Sequence, residues 1–163
     1  GGSVDATVEM GGLFIEMGPV VQVKLCEGAP TSLGNSKPSV LYDGLPGILV
    51  NSFSVSSSDI LVAAIQDYGR AIIVGDAPST FGDGTTQRFF RLDAYTPLRH
   101  KDLGELGSIR SPVKKFFRVN GGSIQLKGVI PDIVLPGVYS YLETGEKEED
   151  FPLEWTEIEP VLY

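Results

Sequence analysis

Hydrophobic positions along the chain change period several times, and each change marks an element. Residues 3–14 read as a short helix: Ser3 is placed to cap it, Asp5 lies in the first turn, Val4 and Val8 share a face, and Gly11–Gly12 mark its end. The run VVQVKL at 20–25 alternates as a half-buried strand does. Residues 27–37 are rich in Gly, Pro, Ser and Asn and are expected to form a loop. PGILVN at 46–51 is a short apolar run between turn residues, which predicts a strand covered on both faces.

Residues 56–68 carry the clearest helical pattern. Ser56 followed three residues later by Asp59 gives a capping-box-like start. Ile60, Leu61, Ala64, Ile65 and Tyr68 supply a broad apolar face, and Gly69 is suited to close the helix. AIIVG at 71–75 predicts another buried strand, so 46–75 reads as strand, helix, strand, a βαβ unit in a parallel sheet. Farther on, 88–92 is expected as a strand after a turn at Asp83–Gly84. The polar stretch 96–112 is expected to be a mobile insertion. VKKFFRV at 113–119 predicts a strand ending in the Asn120–Gly121–Gly122 turn. VIPDIVL at 129–135 is extended but broken by Pro131, which puts it at a sheet edge. The remainder is acidic, with Trp155 as its expected anchor to the body.

Composition narrows the function more than the fold. With 163 residues, 42% of them apolar, the chain fits one domain with a substantial core. A formal charge of −8 with no basic stripe argues against nucleic acid and anionic membranes as partners. Much of that charge lies between Glu143 and Glu159, the pattern of a solvated face or tail. No apolar run approaches the ~18 residues of a membrane span. Cys26 is the single cysteine, so no intrachain disulfide can form, and the single histidine, His100, lies far from it in sequence. No His, Cys, Asp or Glu grouping has metal-ligand spacing, and no GK[ST] follows a glycine-rich segment, so neither metal nor cofactor is expected.

The candidate chemistry lies in 51–87, NSFSVSSSDILVAAIQDYGRAIIVGDAPSTFGDGTTQ. Ser56 stands at a predicted helix N-terminus, where the dipole and free N–H groups favour a developing oxyanion. On pattern alone, Ser54, Ser56, Ser57 and Ser58 read equally well as cap and first-turn serines, and Asp83–Gly84 as a tight turn.

A likeness to a known family separates these readings. SVSSSD at 54–59, the GDG at 82–84 followed by Gln87, RVNGGSIQLKGVIPDI at 118–133 and TGEKEEDFPLEW at 144–155 occur in the order found in C-terminal processing peptidases, also called tail-specific proteases, and the chain resembles that family over nearly its whole length. The resemblance implies an α/β, crotonase/ClpP-like core of ββα units with a mostly parallel sheet. It implies a serine endopeptidase acting near apolar, often unstructured, protein C-termini, located in the periplasm or cell envelope. It assigns Ser56 as nucleophile, and the Ser57 N–H with a donor from the glycine-rich turn Gly1–Gly2 as oxyanion hole. Gln87 matches the glutamine that orients the catalytic lysine. At the lysine position itself stands Asp83.

That substitution changes the expectation for activity. A buried lysine can lose its proton near neutral pH and then accept the serine's. An aspartate is ordinarily ionised at neutral pH and is a feeble base toward a hydroxyl. Losing a positioned base costs on the order of 10²–10⁴ in rate. The chain is therefore expected to be impaired as a protease. The competing readings are a non-catalytic relative that binds extended polypeptide tails, and an assembly fragment that forms a homo-oligomer through an open sheet edge. Residues 1–163 are expected to be a partial protease core with an acidic extension from about 137, the PDZ domain and upstream core lying outside it.

Overall fold

The computed structural model describes residues 2–37, 40–95 and 104–163. Helix α1 (Val4–Gly11) starts at Ser3, whose side chain accepts from the Ala6 N–H. It is followed by β1 (Gly18–Leu25), β2 (Thr31–Asn35), β3 (Gly47–Val50), α2 (Ser57–Asp67), β4 (Ile72–Gly75), β5 (Thr85–Arg91), β6 (Ser108–Phe117) and the two-residue β7 (Ile133–Val134). The strands form two sheets: a four-stranded one ordered β2-β1-β6-β5, and a three-stranded one ordered β3-β4-β7.

The three-stranded sheet is the βαβ unit read from the sequence. β3 and β4 pair in parallel with Ile48 opposite Ile73 and Val50 opposite Gly75, and β7 joins β4 in parallel as an edge. Between them, α2 buries Ile60, Ala64 and Ile65 against Val20, Val21, Ile73, Phe116 and Val129. Its C-terminus closes with Gly69 at φ 63°, where the Gly69 N–H donates to the Gln66 carbonyl and the Arg70 N–H to the Ile65 carbonyl. This six-to-one, five-to-two pattern needs a left-handed residue after the cap, which glycine adopts without penalty.

Several expectations are corrected. The larger sheet pairs wholly antiparallel, so the fold is not mostly parallel. The short connection between β1 and β2, with no helix in it, turns the chain back on itself and makes that pair antiparallel. The loop expected at 27–37 contains β2, which is held by the ladder to β1 and, at its end, by the Asn35 side chain, whose Nδ2 donates to the Ile15, Glu16 and Lys37 carbonyls. β3 is not covered on both faces: Leu49 is 82% exposed, and Ile72 of β4, which pairs with Gly47, is 42% exposed. β5 starts at Thr85, directly after Gly84, rather than at Arg88. β6 starts at Ser108, inside the stretch expected to be an insertion, while residues 96–103 of that stretch, with His100, lie outside the described residues. The acidic C-terminal segment is anchored as expected: the Trp155 indole N–H donates to the Ser123 carbonyl at 2.9 Å, and Lys127 lies 3.5 Å above its ring.

Candidate functional site

The chain leaves β3 through a tight turn in which Asn51 Oδ1 accepts from the Phe53 N–H at 3.0 Å and Ser54 Oγ from the Asn51 N–H at 3.2 Å. Two residues later, Ser56 caps α2 with φ 63° and ψ −114°. A non-glycine residue with positive φ costs on the order of 1–2 kcal/mol and persists only where its surroundings over-determine it. Here the Ser56 N–H donates to Asp59 Oδ2 at 2.9 Å, and the Ser56 carbonyl accepts from the Ile60 N–H at 3.1 Å. Strained serines at strand-to-helix turns are how hydrolase folds expose a nucleophilic Oγ.

Asp83 approaches from a different part of the chain. The segment 81–84 is pinned on several sides: the Phe81 N–H donates to the Ser54 carbonyl, the Leu126 N–H to the Gly82 carbonyl and the Phe116 N–H to the Gly84 carbonyl. The Gly84 N–H donates to Gln125 Oε1 at 2.9 Å, and Gln125 Nε2 donates on to Glu146 Oε1 at 2.8 Å. The flanking glycines are required by this approach. A Cβ on Gly82 would lie 2.8 Å from the Gly128 nitrogen, and one on Gly84 2.6 Å from the Gln125 nitrogen. The Asp83 carboxylate turns to Thr85, accepting from its N–H at 3.1 Å and from its hydroxyl at 2.8 Å. This local turn fixes the start of β5.

Ser56, Ser57, Asp83, Gln87 and Gly2 line one cavity of about 250 Å³, together with Arg110 of β6. Gly2 lies beside Ser57, with a Cβ built on it 3.7 Å from the Ser57 Cβ. Gly1 is outside the described residues. Gln87 enters at an irregularity of the β5–β6 ladder: Thr86 pairs with Lys114 but Gln87 with Pro112, so β6 carries one extra residue there. Proline offers no ladder N–H at that point, which suits a bulge. No lysine or histidine lines this cavity among the described residues; Lys114 and Lys115 line a separate groove, and the Lys115 ammonium donates to the Glu154 carbonyl.

Two acidic groups near the site were not singled out as functional by sequence. Asp59, read there as a cap, is fully buried, and burial pushes its carboxyl up from 3.8 to about 6, tempered by the Thr80 hydroxyl and the Ser56 and Gly82 amides, with Asp83 adding a smaller upward push. Its Oδ1 makes no hydrogen bond of good geometry among the described residues, although Thr80 and Gly82 face the carboxylate. Glu146, read as part of a solvated run, is partly buried, and burial raises it, with Asp83 and Glu149 pushing the same way. Gln125 is completely buried between Gly84 and Glu146. Its place in the RVNGGSIQLKGVIPDI block was the available signal.

The sequence profile of Peptidase family S41 matches residues 1–135. The tail-specific protease of Haemophilus influenzae is 40% identical over 163 residues, covering 100% of this chain and 23% of that protein. The carboxy-terminal-processing protease of Bartonella bacilliformis is 31% identical over 136 residues, covering 83% of this chain and 28% of that one. The structure of photosystem II D1 C-terminal processing protease superposes with a TM-score of 0.64 at 24% identity over 83% of this chain and 32% of that one, a likeness of fold. The chain belongs to peptidase family S41, a family of serine proteases, and spans about a quarter of the length of the two relatives. No helix among the described residues is long and apolar enough to cross a membrane.

Proposed function

We propose that this chain carries the core of a tail-specific serine endopeptidase site in which polypeptide binding is kept and cutting is disarmed. Ser56 is the nucleophile, the Ser57 N–H and Gly2 face the oxyanion, and Gln87 has lost the lysine it would orient. The observation that carries this reading is the shared cavity of Ser56 and Asp83, in which a carboxylate hydrogen-bonded to Thr85 stands where a base is needed. A carboxylate so occupied is a poor acceptor for the serine proton, and its charge opposes a developing oxyanion.

Family membership supports the rest of the picture. The core is a crotonase-like assembly of ββα units, and the bound chains are apolar protein C-termini in the periplasm. The reading of the chain as a tail-binding relative is favoured by the cavity lining, which offers no lysine or histidine among the described residues. An open edge of the three-stranded sheet makes self-association through strand pairing a companion proposal.

Fluorophosphonate labelling tests the site. Asp83→Lys should label at Ser56, the parent chain should not, and Ser56→Ala should abolish labelling in the Asp83→Lys background. Labelling of the unaltered chain at Ser56 would show a working protease with another base. Absence of labelling in Asp83→Lys would remove Ser56 from the nucleophile role.

A further inference from the structure

We propose that two copies of this chain pack against each other through the open face of the three-stranded sheet, the side of β3, β4 and β7 turned away from α2. The inference is independent of the chemistry at Ser56 and concerns the face of the sheet, not its edge.

The register gathers the residues of this face. Val74 of β4 pairs with Leu49 of β3 on one side and with Ile133 of β7 on the other, so the three side chains stand in one row across the sheet. Ile72, two residues before Val74 on the same strand, shares their side. Leu135 donates its N–H to the Gly75 carbonyl and joins Leu49 and Val74 around a hollow of about 290 Å³. Farther along the chain from β3 and β7, the Phe53 and Tyr139 rings meet edge to face at 5.4 Å. Val50 and Ile73, on the opposite side of the sheet, are buried in the core with α2. Leu49, Phe53, Ile72, Ile133, Leu135 and Tyr139 are instead between 42% and 82% exposed.

Parallel sheets are ordinarily buried on both faces, and α2 covers one face of this sheet. The exposed surface of those six side chains comes to about 700 Å², within the ~600–1,000 Å² that one partner gives to a standard interface. A contiguous apolar patch of that size marks an interaction site. Charge selects the occupant. The chain carries a formal charge of −8, so two copies repel each other wherever that charge is shared. On this face the strands present apolar side chains, and Asp76, the acidic residue described on the hollow, lies past the end of β4. A twofold contact sets the patch against itself, apolar on apolar, and needs no opposite charge from a different partner. Stacked ~10 Å apart, the two sheets become the inner layers of a sandwich.

Sedimentation equilibrium of the 163-residue chain tests this. The parent should be a reversible dimer with a micromolar dissociation constant. Ile72→Lys should weaken dimerisation about tenfold or more, because the contact would desolvate an unpaired ammonium. β4 is the central strand of its sheet, paired on both sides, so this lysine leaves the free edges untouched. Leu49→Lys repeats the test at a side chain that is 82% exposed, where folding is not at stake, and far-UV circular dichroism checks both variants. Ile109→Lys, at an exposed position on β6 of the other sheet, should dimerise as the parent does. A parent that stays monomeric at submillimolar concentration would overturn the proposal, and the face would then serve a partner other than a second copy. Dimers of Ile72→Lys and Leu49→Lys as tight as the parent's would overturn it in favour of strand pairing through an open edge. Equal weakening by Ile109→Lys would remove this face as the contact.

Discussion

The Asp59 carboxylate accepts a hydrogen bond from the Ser56 N–H at 2.9 Å, tying a completely buried acid to the backbone of the residue with the least relaxed conformation at the site. The cap and the strain are two sides of one arrangement. Asp59 holds the first turn of α2 in place, and Ser56 takes up the mismatch between the incoming chain and the helix.

This makes stability depend on pH in a definite direction. Asp59 titrates near 6 when folded against 3.8 as a free side chain, so folding favours its protonated form. The stabilisation is fully present below pH 3.8, declines as pH rises through about 6, and is absent above that. Its size is on the order of 3 kcal/mol. Asp59→Asn keeps an acceptor for the Ser56 N–H and removes the charge. It should therefore be more stable than the parent at pH 8, with the gap closing by pH 4, as read from thermal unfolding across that range.

Ser56→Gly and Ser56→Ala should differ in stability although both delete the hydroxyl. Alanine keeps the positive-φ penalty, whereas glycine relieves it at some entropic cost in the unfolded chain. Urea unfolding should find the glycine variant more stable by about 1 kcal/mol. Equal midpoints would mean that the first turn of α2 relaxes when the side chain is removed.

Arg118 grips Asp67 through two nitrogens, at 2.6 and 3.0 Å for the shortest contacts, and also donates to Gln66. The Asp67 side chain is only 5% exposed. Arg118→Ala leaves that carboxylate with the Asn120 amide as its remaining side-chain donor among the described residues, and should destabilise by about 3 kcal/mol. Arg118→Lys keeps the charge without the fork and should recover part of the loss. Chemical denaturation of both variants measures the difference.

Gln125→Leu should loosen the site rather than the core. It leaves the Gly84 N–H without its acceptor and Glu146 without its donor, at a cost of about 2 kcal/mol. Hydrogen exchange at Gly84 and Thr85 should speed up relative to α2. Uniform change in both regions would mean that the 81–84 segment and the helix open together.

Much of the βαβ unit was legible because its signals were local and agreed. Periodicity, the Ser–Asp cap and Gly69 all pointed to one helix between two apolar runs. β2 was not legible because Thr31–Asn35 has no strand pattern of its own; it is held extended by pairing with β1 and by the Asn35 side chain, both of which reach residues outside the segment. The open face at Leu49 and Ile72 was misread for a related reason. A continuous apolar run records which side chains are apolar, and says nothing about whether another layer lies over them. At the site, Ser56, Asp83 and Gln87 stood out by their order in the chain. Glu146 and Gln125 did not, because they reach the loop from 40 or more residues away, and a run of glutamates looks solvated until one of them is found partly buried.

The bonds that fix 81–84 involve the backbone of Phe81, Gly82 and Gly84 and the Gln125 side chain, and none of them uses the side chain at 83. Position 83 is thus a socket in part: the backbone of 81–84 is held from elsewhere, while the Asp83 side chain itself is spent on Thr85 at the start of β5. An exchange at 83 would therefore be felt first at Thr85 and the start of β5, with the backbone bonds of Phe81, Gly82 and Gly84 left in place.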